Sequence, residues 1–170
     1  EIILIGAGGH CKSCIDIIED SKEFKIKGII DSKKTNVTKV LNHKIIGYDK
    51  DLKKILGKNQ NVHIAIGQIK SSSRRVKIYD NLKKFNIMMP IIKSKGSYIS
   101  KFSKINFGTI IMHGVIINAD VEIGINSIIN TNSLIEHDVK IGNFSHISTG
   151  AKINGNVIIG NNVFVGSGAV

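Results

Sequence analysis

Residues 121–160 of this chain read VEIGINSIINTNSLIEHDVKIGNFSHISTGAKINGNVIIG. An isoleucine recurs at every sixth position of this stretch, from Ile123 to Ile159. The same period extends in both directions, so that eleven isoleucines and one valine occupy twelve successive hexads: Ile99, Ile105, Ile111, Ile117, Ile123, Ile129, Ile135, Ile141, Ile147, Ile153, Ile159 and Val165. An uninterrupted repeat of this length is typical of a parallel β-helix, whose stacked turns share one continuous core.

The other columns of the repeat fit a triangular coil with three short strands and three corners per turn. The residue four positions after each large apolar residue is small or β-branched throughout, as a crowded interior requires. The residue directly after the apolar position is Gly or Asn in eight of the twelve hexads, and we expect left-handed backbone there. Gly124, Gly142 and Gly160 are 18 residues apart and should stack on one edge. The repeat predicts a left-handed parallel β-helix of four coils over residues 93–170, with a terminal cap expected beyond Val170.

Residues 1–92 have a different pattern, in which apolar strands alternate with helices. The predicted strands are 1–5, 25–31, 44–48, 62–66 and 87–92, and the predicted helices are 9–20, 49–56 and 71–85. Val76, Tyr79, Leu82 and Phe85 have the spacing of one helix face. Alternation of this kind predicts a small α/β domain with a parallel sheet and Rossmann-like winding.

Composition excludes several classes of function. The formal net charge is +11, but the lysines are spread along the chain, and no aromatic residues alternate with basic ones as in nucleic-acid-binding surfaces. No run of eighteen apolar residues occurs, so we expect no membrane span. The opening lacks the basic region and cleavage site of a secretory signal. We therefore expect a cytoplasmic protein that binds no nucleic acid.

Five stretches of the chain together resemble one family over nearly its whole length. They are IILIGAGGH at 2–10, IID at 29–31, HIAIG at 63–67 with Arg74 downstream, INAD at 117–120 and NTNSLIEHDVKIGNFSHIS at 130–148. The family is that of the sialic acid O-acetyltransferases (NeuD), bacterial sugar acyltransferases that include N-acetyltransferases of UDP-4-amino sugars. The chain departs from the pattern at Ser94-Lys95, where many members have His-Pro, and at Asp138, which is often Glu.

The resemblance implies an acetyl-CoA-dependent enzyme that forms a homotrimer, with active sites between neighbouring β-helices and with no metal. It implies that His137 is the general base and that Asp138 raises its basicity. It places His146 near the acetyl group and, with Ser167, among the cofactor-binding residues. The residues that it places around the pocket for the sugar or nucleotide sugar are Gly8, Gly9, His10, Asp31 and Gly67.

The residues around His137 support this chemistry independently of the resemblance. Acetyl transfer from a thioester needs a base for the acceptor's proton, and a neutral histidine beside a carboxylate suits that role. His137 lies two residues after Ile135, so its side chain should point outward from the coil. His146 follows nine residues later and should lie on a different face. We therefore expect the two histidines to converge only if a neighbouring subunit supplies one of them.

The GAGGH loop after the first strand predicts a phosphate-binding helix N-terminus, with Asp31 at the end of the second strand in the place of a ribose ligand. A sugar or nucleotide-sugar pocket, a nicotinamide site and a purely structural turn all remain open. Only part of the dinucleotide fingerprint is present, since position 11 is Cys.

Cys11 and Cys14 form a C-x-x-C pair, which on a helix is more simply explained by core packing than by redox or zinc chemistry. His113, His137 and His146 lack the H-x-x-x-x-H pair of β-helical carbonic anhydrases, so we expect no catalytic metal.

Two functions remain open: an acetyl-CoA-dependent acetyltransferase of a sugar in bacterial surface glycan biosynthesis, and a non-catalytic nucleotide-sugar-binding or trimeric scaffold protein. For the enzyme, O-acetylation of a sialic acid and N-acetylation of a UDP-amino sugar are equally compatible with these residues. The carboxylates beside His137 favour the enzyme.

Overall fold

The structure, a computed structural model, describes residues 1–32 and 37–170. These residues form two compact units, one of Glu1–Gly67 and Arg74–Pro90 and the other of Gln68–Ser73 and Ile91–Val170. The predicted order of an α/β domain followed by a coil of short strands is confirmed.

The first unit is built on a six-stranded sheet in the order β3-β4-β2-β1-β5-β6, parallel except for the β3–β4 pair. Its strands are β1 Ile2–Ile5, β2 Ile26–Asp31, β3 Lys39–Val40, β4 His43–Tyr48, β5 Gln60–Ile64 and β6 Ile87–Met88. Its helices are α1 Gly9–Ser21, a 3-10 turn at Asp49–Asp51, α2 Leu52–Ile55 and α3 Ser73–Leu82. The central strands are buried on both faces, as expected of strands covered by helices.

Helix α3 differs from the prediction in its ends and in its buried face. It is shorter than the predicted 71–85, and its buried residues are Arg75, Ile78 and Leu82. Val76, which the spacing predicts on the apolar face, is only half-buried. The hydrophobic pattern was misleading here because a buried arginine occupies the helix face that the apolar spacing should mark.

The second unit consists of thirteen two-residue strands that coil into a left-handed parallel β-helix. The strands are β7 Ile92–Lys93, β8 Tyr98–Ile99, β9 Lys104–Ile105, β10 Ile110–Ile111, β11 Ile116–Ile117, β12 Glu122–Ile123, β13 Ile128–Ile129, β14 Leu134–Ile135, β15 Lys140–Ile141, β16 His146–Ile147, β17 Lys152–Ile153, β18 Ile158–Ile159 and β19 Phe164–Val165. They stack in three sheets, β7-β10-β13-β16-β19, β8-β11-β14-β17 and β9-β12-β15-β18.

The isoleucine column forms the axis of the coil, as predicted. Each isoleucine is in register with those 18 residues away, for example Ile117 with Ile135 and Ile135 with Ile153. From Ile111 to Ile147 every member of the column is almost fully buried, and the end members Ile99 and Val165 are partly buried. Burying one such side chain stabilises the fold by about 1.5–3 kcal/mol, so this column is the main stabilising element of the unit.

The coil begins with a strand that precedes Ile99, the first isoleucine of the repeat. The segment predicted as a single strand at 87–92 is divided, because Ile87–Met88 pairs with β5 whereas Ile92–Lys93 pairs with β10. Lys93 is in register with Ile111, so a lysine stands at the first position of the isoleucine column. The repeat could not reveal this strand because its axial position is not apolar.

The prediction for the corners was wrong in detail. Left-handed backbone occurs three residues after the axial isoleucines, not one residue after them, for example at Asn126 (φ 50°) and Asp138 (φ 62°). The stacking of Gly124 over Gly142 is confirmed, but its reason is close approach: a Cβ at Gly124 would lie 2.6 Å from the Asn143 backbone nitrogen. Glycine is required there because the next coil leaves no room for a side chain.

Candidate active site

The corner that follows β14 carries His137 and Asp138. Ile135 and Val139, both fully buried, fix the backbone on either side of it. Asp138 adopts left-handed backbone (φ 62°), a conformation that Asp tolerates better than most residues. The two side chains face solvent, with 65% of His137 and 55% of Asp138 exposed. The fold therefore presents this pair on a rigid corner and leaves it accessible.

His137 Nδ1 lies 2.7 Å from Asp138 Oδ2. The carboxylate accepts the Nδ1–H hydrogen bond, so in the neutral ring the Nε2 atom carries the lone pair. This hydrogen bond is the main reason that the pKa of His137 is raised above its usual value, and the charges of Asp138 and Glu136 act in the same direction. An arrangement of this kind can act as a general base, because the carboxylate fixes the tautomer of the imidazole and raises its basicity.

The second carboxylate beside His137 is engaged elsewhere. Asn118, one coil earlier, donates from Nδ2 to Glu136 Oε2 over 2.8 Å. The two acidic neighbours of His137 therefore have different partners. Asp138 accepts a hydrogen bond from the imidazole, whereas Glu136 accepts one from Asn118 of the preceding turn. The sequence alone could not assign these partners, because both carboxylates are adjacent to the histidine.

A groove of about 570 Å³ lies beside this corner. Its lining combines Asp138 with two lysines and several side chains of neighbouring coils: Phe102, Lys104, Asp120, Val121, Glu122, Lys140 and Asn156. The groove borders Asp138, whereas His137 is not among its lining residues.

His146 lies in β16, on a different stack from β14, which agrees with the expectation that one chain does not bring the two histidines together. Only 6% of His146 is exposed, so its ring is not a solvated surface group. Its Nδ1 lies 2.6 Å from the Gln68 carbonyl oxygen, and its Nε2 lies 3.0 Å from Asn130 Nδ2.

These contacts define the tautomer of His146. The Thr131 N–H donates to Asn130 Oδ1 over 2.8 Å, which orients the Asn130 amide so that its NH₂ group faces the ring. Nε2 must then accept, and Nδ1 must carry the proton and donate to the Gln68 carbonyl. The structure therefore gives His146 as a buried, neutral and oriented imidazole.

The segment Gln68–Ser73 belongs to the coil unit and lies against β16. Ser72 Oγ donates to Asn162 Oδ1 over 2.7 Å, and Gln68 Nε2 lies 3.4 Å from the Asn162 carbonyl oxygen. The pattern of residues 68–73 gives no indication of a partner in the repeat, so the sequence did not predict this segment's position. Ser167, the other predicted cofactor-binding residue, is exposed, and its Oγ is 2.9 Å from Ser148 Oγ.

The loop after β1 brings together the residues that the sequence assigned to the acceptor pocket. Gly8 is the N-cap of α1, and no side chain caps the helix. Gly8 and Gly9 are exposed, and a Cβ at either would meet no atom within 4 Å. An anion can therefore approach the backbone N–H groups of the first turn.

Asp31 and Gly67 lie at the same edge of the sheet as this loop. Asp31 ends β2, and Gly67 follows β5, the strands that flank β1 on either side. A Cβ at Gly67 would lie 3.3 Å from His10 Cβ, so the two loops are in close contact. This is the carboxyl edge of a parallel sheet, where ligands of open α/β sheets bind.

Buried polar groups lie below the loop. Burial raises the pKa of the Cys11 thiol to about 12 and also raises that of Cys14. Burial is likewise the main cause that lowers the pKa of His63 to about 3. Cys11 and Cys14 are buried in α1 as free thiols, which confirms the packing interpretation of the C-x-x-C pair. Arg75, almost completely buried, is the residue here that the sequence did not suggest.

Over residues 1–32 and 37–170, no group of three or more His, Cys, Asp or Glu side chains is placed to hold a metal ion. Within the same residues, no helix is long and apolar enough to cross a membrane.

Comparison with known families matches both parts of the chain. The PglD N-terminal domain matches residues 1–82, and the bacterial transferase hexapeptide (six repeats) matches residues 138–170. A comparison with curated proteins returned no significant match.

Three similar solved structures cover nearly all of the chain, each at 25% identity. A mutant of perosamine N-acetyltransferase from Caulobacter crescentus in complex with CoA and GDP-perosamine has a TM-score of 0.83, over 98% of this chain and 86% of that chain. The acetyltransferase domain of PglB from Neisseria gonorrhoeae FA1090 has a TM-score of 0.88, over 98% and 80%. WeeI from Acinetobacter baumannii AYE has a TM-score of 0.86, over 99% and 79%.

The hexapeptide coil and these similarities define the class of protein: the chain is an acyltransferase. More particularly, its residues 1–82 are similar to the PglD N-terminal domain, and its residues 138–170 are similar to bacterial transferase hexapeptide repeats.

Proposed function

We propose that this protein transfers the acetyl group of acetyl-CoA to the amino group of a nucleotide-linked amino sugar, with His137 as general base. The observation that carries the proposal is the exposed His137–Asp138 pair on a rigid corner of the coil, with Nε2 directed away from the carboxylate. The similarity to a perosamine N-acetyltransferase in complex with CoA and GDP-perosamine supports the acyl donor and favours an amine over the hydroxyl of a sialic acid.

The reaction needs little besides this base and correct positioning. The acceptor nitrogen attacks the thioester carbonyl carbon, and His137 Nε2 takes the proton that the nitrogen loses. The carbon–sulfur bond then breaks, the amide forms, and the CoA sulfur leaves and takes up a proton. Asp138 stabilises the imidazolium that forms on His137, because its carboxylate stays bonded to Nδ1.

We propose that the glycine loop of the first unit holds the phosphates of the sugar nucleotide. The uncapped first turn of α1, with Gly8 and Gly9 exposed, supports this role. Asp31, at the end of the neighbouring strand β2, is a candidate ligand for a sugar hydroxyl. His146 and Ser167 remain the candidates for contacts with CoA.

We further propose a homotrimer whose active sites lie between chains. Tyr98 and Ile116 are in register on one stack of the coil, and both are exposed apolar side chains, 59% and 43% respectively. If the β-helix of a second chain covered Tyr98 and Ile116, the contact would remove this apolar surface from water. The predicted cytoplasmic location stays a prediction; it agrees with the use of acetyl-CoA.

The test is the release of CoA, followed with a thiol reagent, for a panel of UDP- and GDP-linked amino sugars and of free and CMP-linked sialic acids. We expect release with at least one amino sugar and its loss in His137→Ala. His43→Ala is the matched control, because His43 lies in β4, pairs with Glu19 of α1 and is not among the proposed site residues, so this variant should keep full activity. Release with sialic acids alone would assign O-acetylation. No release with any acceptor, combined with tight binding of a nucleotide sugar, would favour the non-catalytic binding or scaffold protein.

A further inference from the structure

Gly155 lies one coil after His137, since successive coils are 18 residues apart. The Asn156 N–H donates to the His137 carbonyl oxygen over 3.0 Å, so the two corners are stacked. A Cβ atom at position 155 would lie 2.8 Å from His137 Cε1 and 2.9 Å from Nε2. The imidazole thus occupies the space that a side chain at position 155 would need.

Backbone conformation does not explain why position 155 is a glycine. The left-handed glycines of the coil are Gly108, Gly114, Gly150 and Gly168, and Gly155 is not among them. An alanine could therefore adopt the backbone of Gly155 without strain. The feature that only glycine provides here is free space below the ring of His137.

We infer that Gly155 is a positioning residue that seats the imidazole of His137 against the coil backbone and so maintains its bond to Asp138; this rests on the proposed function. Both side chains of that pair are largely exposed, so little else in the chain limits their motion. A corner of this kind would otherwise let a surface histidine sample several rotamers. Because the ring of His137 packs on the backbone at Gly155, no surrounding side chains are needed to orient it.

The size of the effect follows from the contact distances. Ordinary contacts between carbon atoms lie at about 3.5–4.0 Å, so an alanine at position 155 must displace the ring by ~0.7 Å or more. The ring can move toward solvent at little cost in stability, because it is the end of a flexible and exposed side chain. The movement disturbs the 2.7 Å bond to Asp138 and shifts Nε2. A misplacement of about 1 Å can lower a rate by about 10²-fold.

The experiment compares Gly155→Ala with Gly96→Ala in the full chain. Gly96 is a matched control, since it lies in the same coil unit without left-handed backbone, and a Cβ there would meet only Ser94 Oγ at 3.7 Å. We expect Gly155→Ala to keep the melting temperature, to lower kcat by about tenfold or more and to lower the pKa of His137 in an NMR titration of the free protein. Gly96→Ala should leave all three unchanged.

A double-mutant cycle separates positioning from a general structural role. In the His137→Ala background, Gly155→Ala should cause no further loss of residual activity, because the two residues act through one ring. Unchanged kcat and an unchanged His137 titration in Gly155→Ala would overturn the inference, as would equal losses with and without His137. The NMR titration needs no acceptor, so it tests the seat even if every acceptor fails and the proposed function is wrong.

Discussion

Replacing Ile135 by Ala tests whether the isoleucine column supports the corner that carries His137. Ile135 is fully buried and lies between Ile117 and Ile153 of the adjacent coils. The substitution removes three carbon atoms at about 0.8 kcal/mol each, and the rigid stack can collapse only partly into the space. Ile→Ala changes in cores cost about 2–5 kcal/mol, and we expect about 3–4 kcal/mol here.

The assay is urea unfolding followed by circular dichroism, with all variants at the same protein concentration because an oligomer's stability depends on it. Ile158→Ala is the matched control, since Ile158 belongs to a strand of the same β-helix but is 76% exposed. We expect it to change the unfolding free energy by less than about 0.5 kcal/mol. Equal costs for Ile135→Ala and Ile158→Ala would refute an axial role for the column.

Three further predictions concern the site and its supports. Asp138→Asn should shift the acidic limb of the pH profile of kcat/KM to lower pH, because Asp138 raises the pKa of His137 and the base acts only when neutral. An unshifted acidic limb would exclude Asp138 as the partner that sets this pKa. Ser72→Ala removes the 2.7 Å bond to Asn162 and should destabilise the protein by about 0.5–1.5 kcal/mol in urea unfolding; Lys70→Ala, exposed in the same segment, should not. Cys11 and Cys14 should resist thiol reagents in the native protein at neutral pH, since burial raises both pKa values; rapid labelling would contradict their burial.

The β-helix was predictable because its six-residue repeat is visible in the sequence. An axial position must be large and apolar in every coil, so Ile111 to Ile147 identify the interior without any other information. The first strand of the coil escaped detection because Lys93 is at the end of the axis, where a charged side chain can reach solvent. Periodicity therefore locates the middle of a solenoid better than its ends.

The site was only partly predictable, for a related physical reason. His137 and Asp138 are neighbours in sequence, so their hydrogen bond could be expected from local geometry. The partner of His146 is the carbonyl of Gln68, 78 residues away. A backbone carbonyl is present at every residue, so no sequence pattern predicts which one accepts this hydrogen bond. Gly155 carries no signal either, because glycine is common in the coil and its purpose depends on the ring above it.

A crystal structure with CoA and an accepted nucleotide sugar would show directly whether His137 is placed to remove the acceptor's proton. We expect the acceptor nitrogen within about 3 Å of His137 Nε2, with the His137–Asp138 hydrogen bond intact. An acceptor nitrogen bonded to a different side chain, with His137 Nε2 facing only solvent, would contradict it.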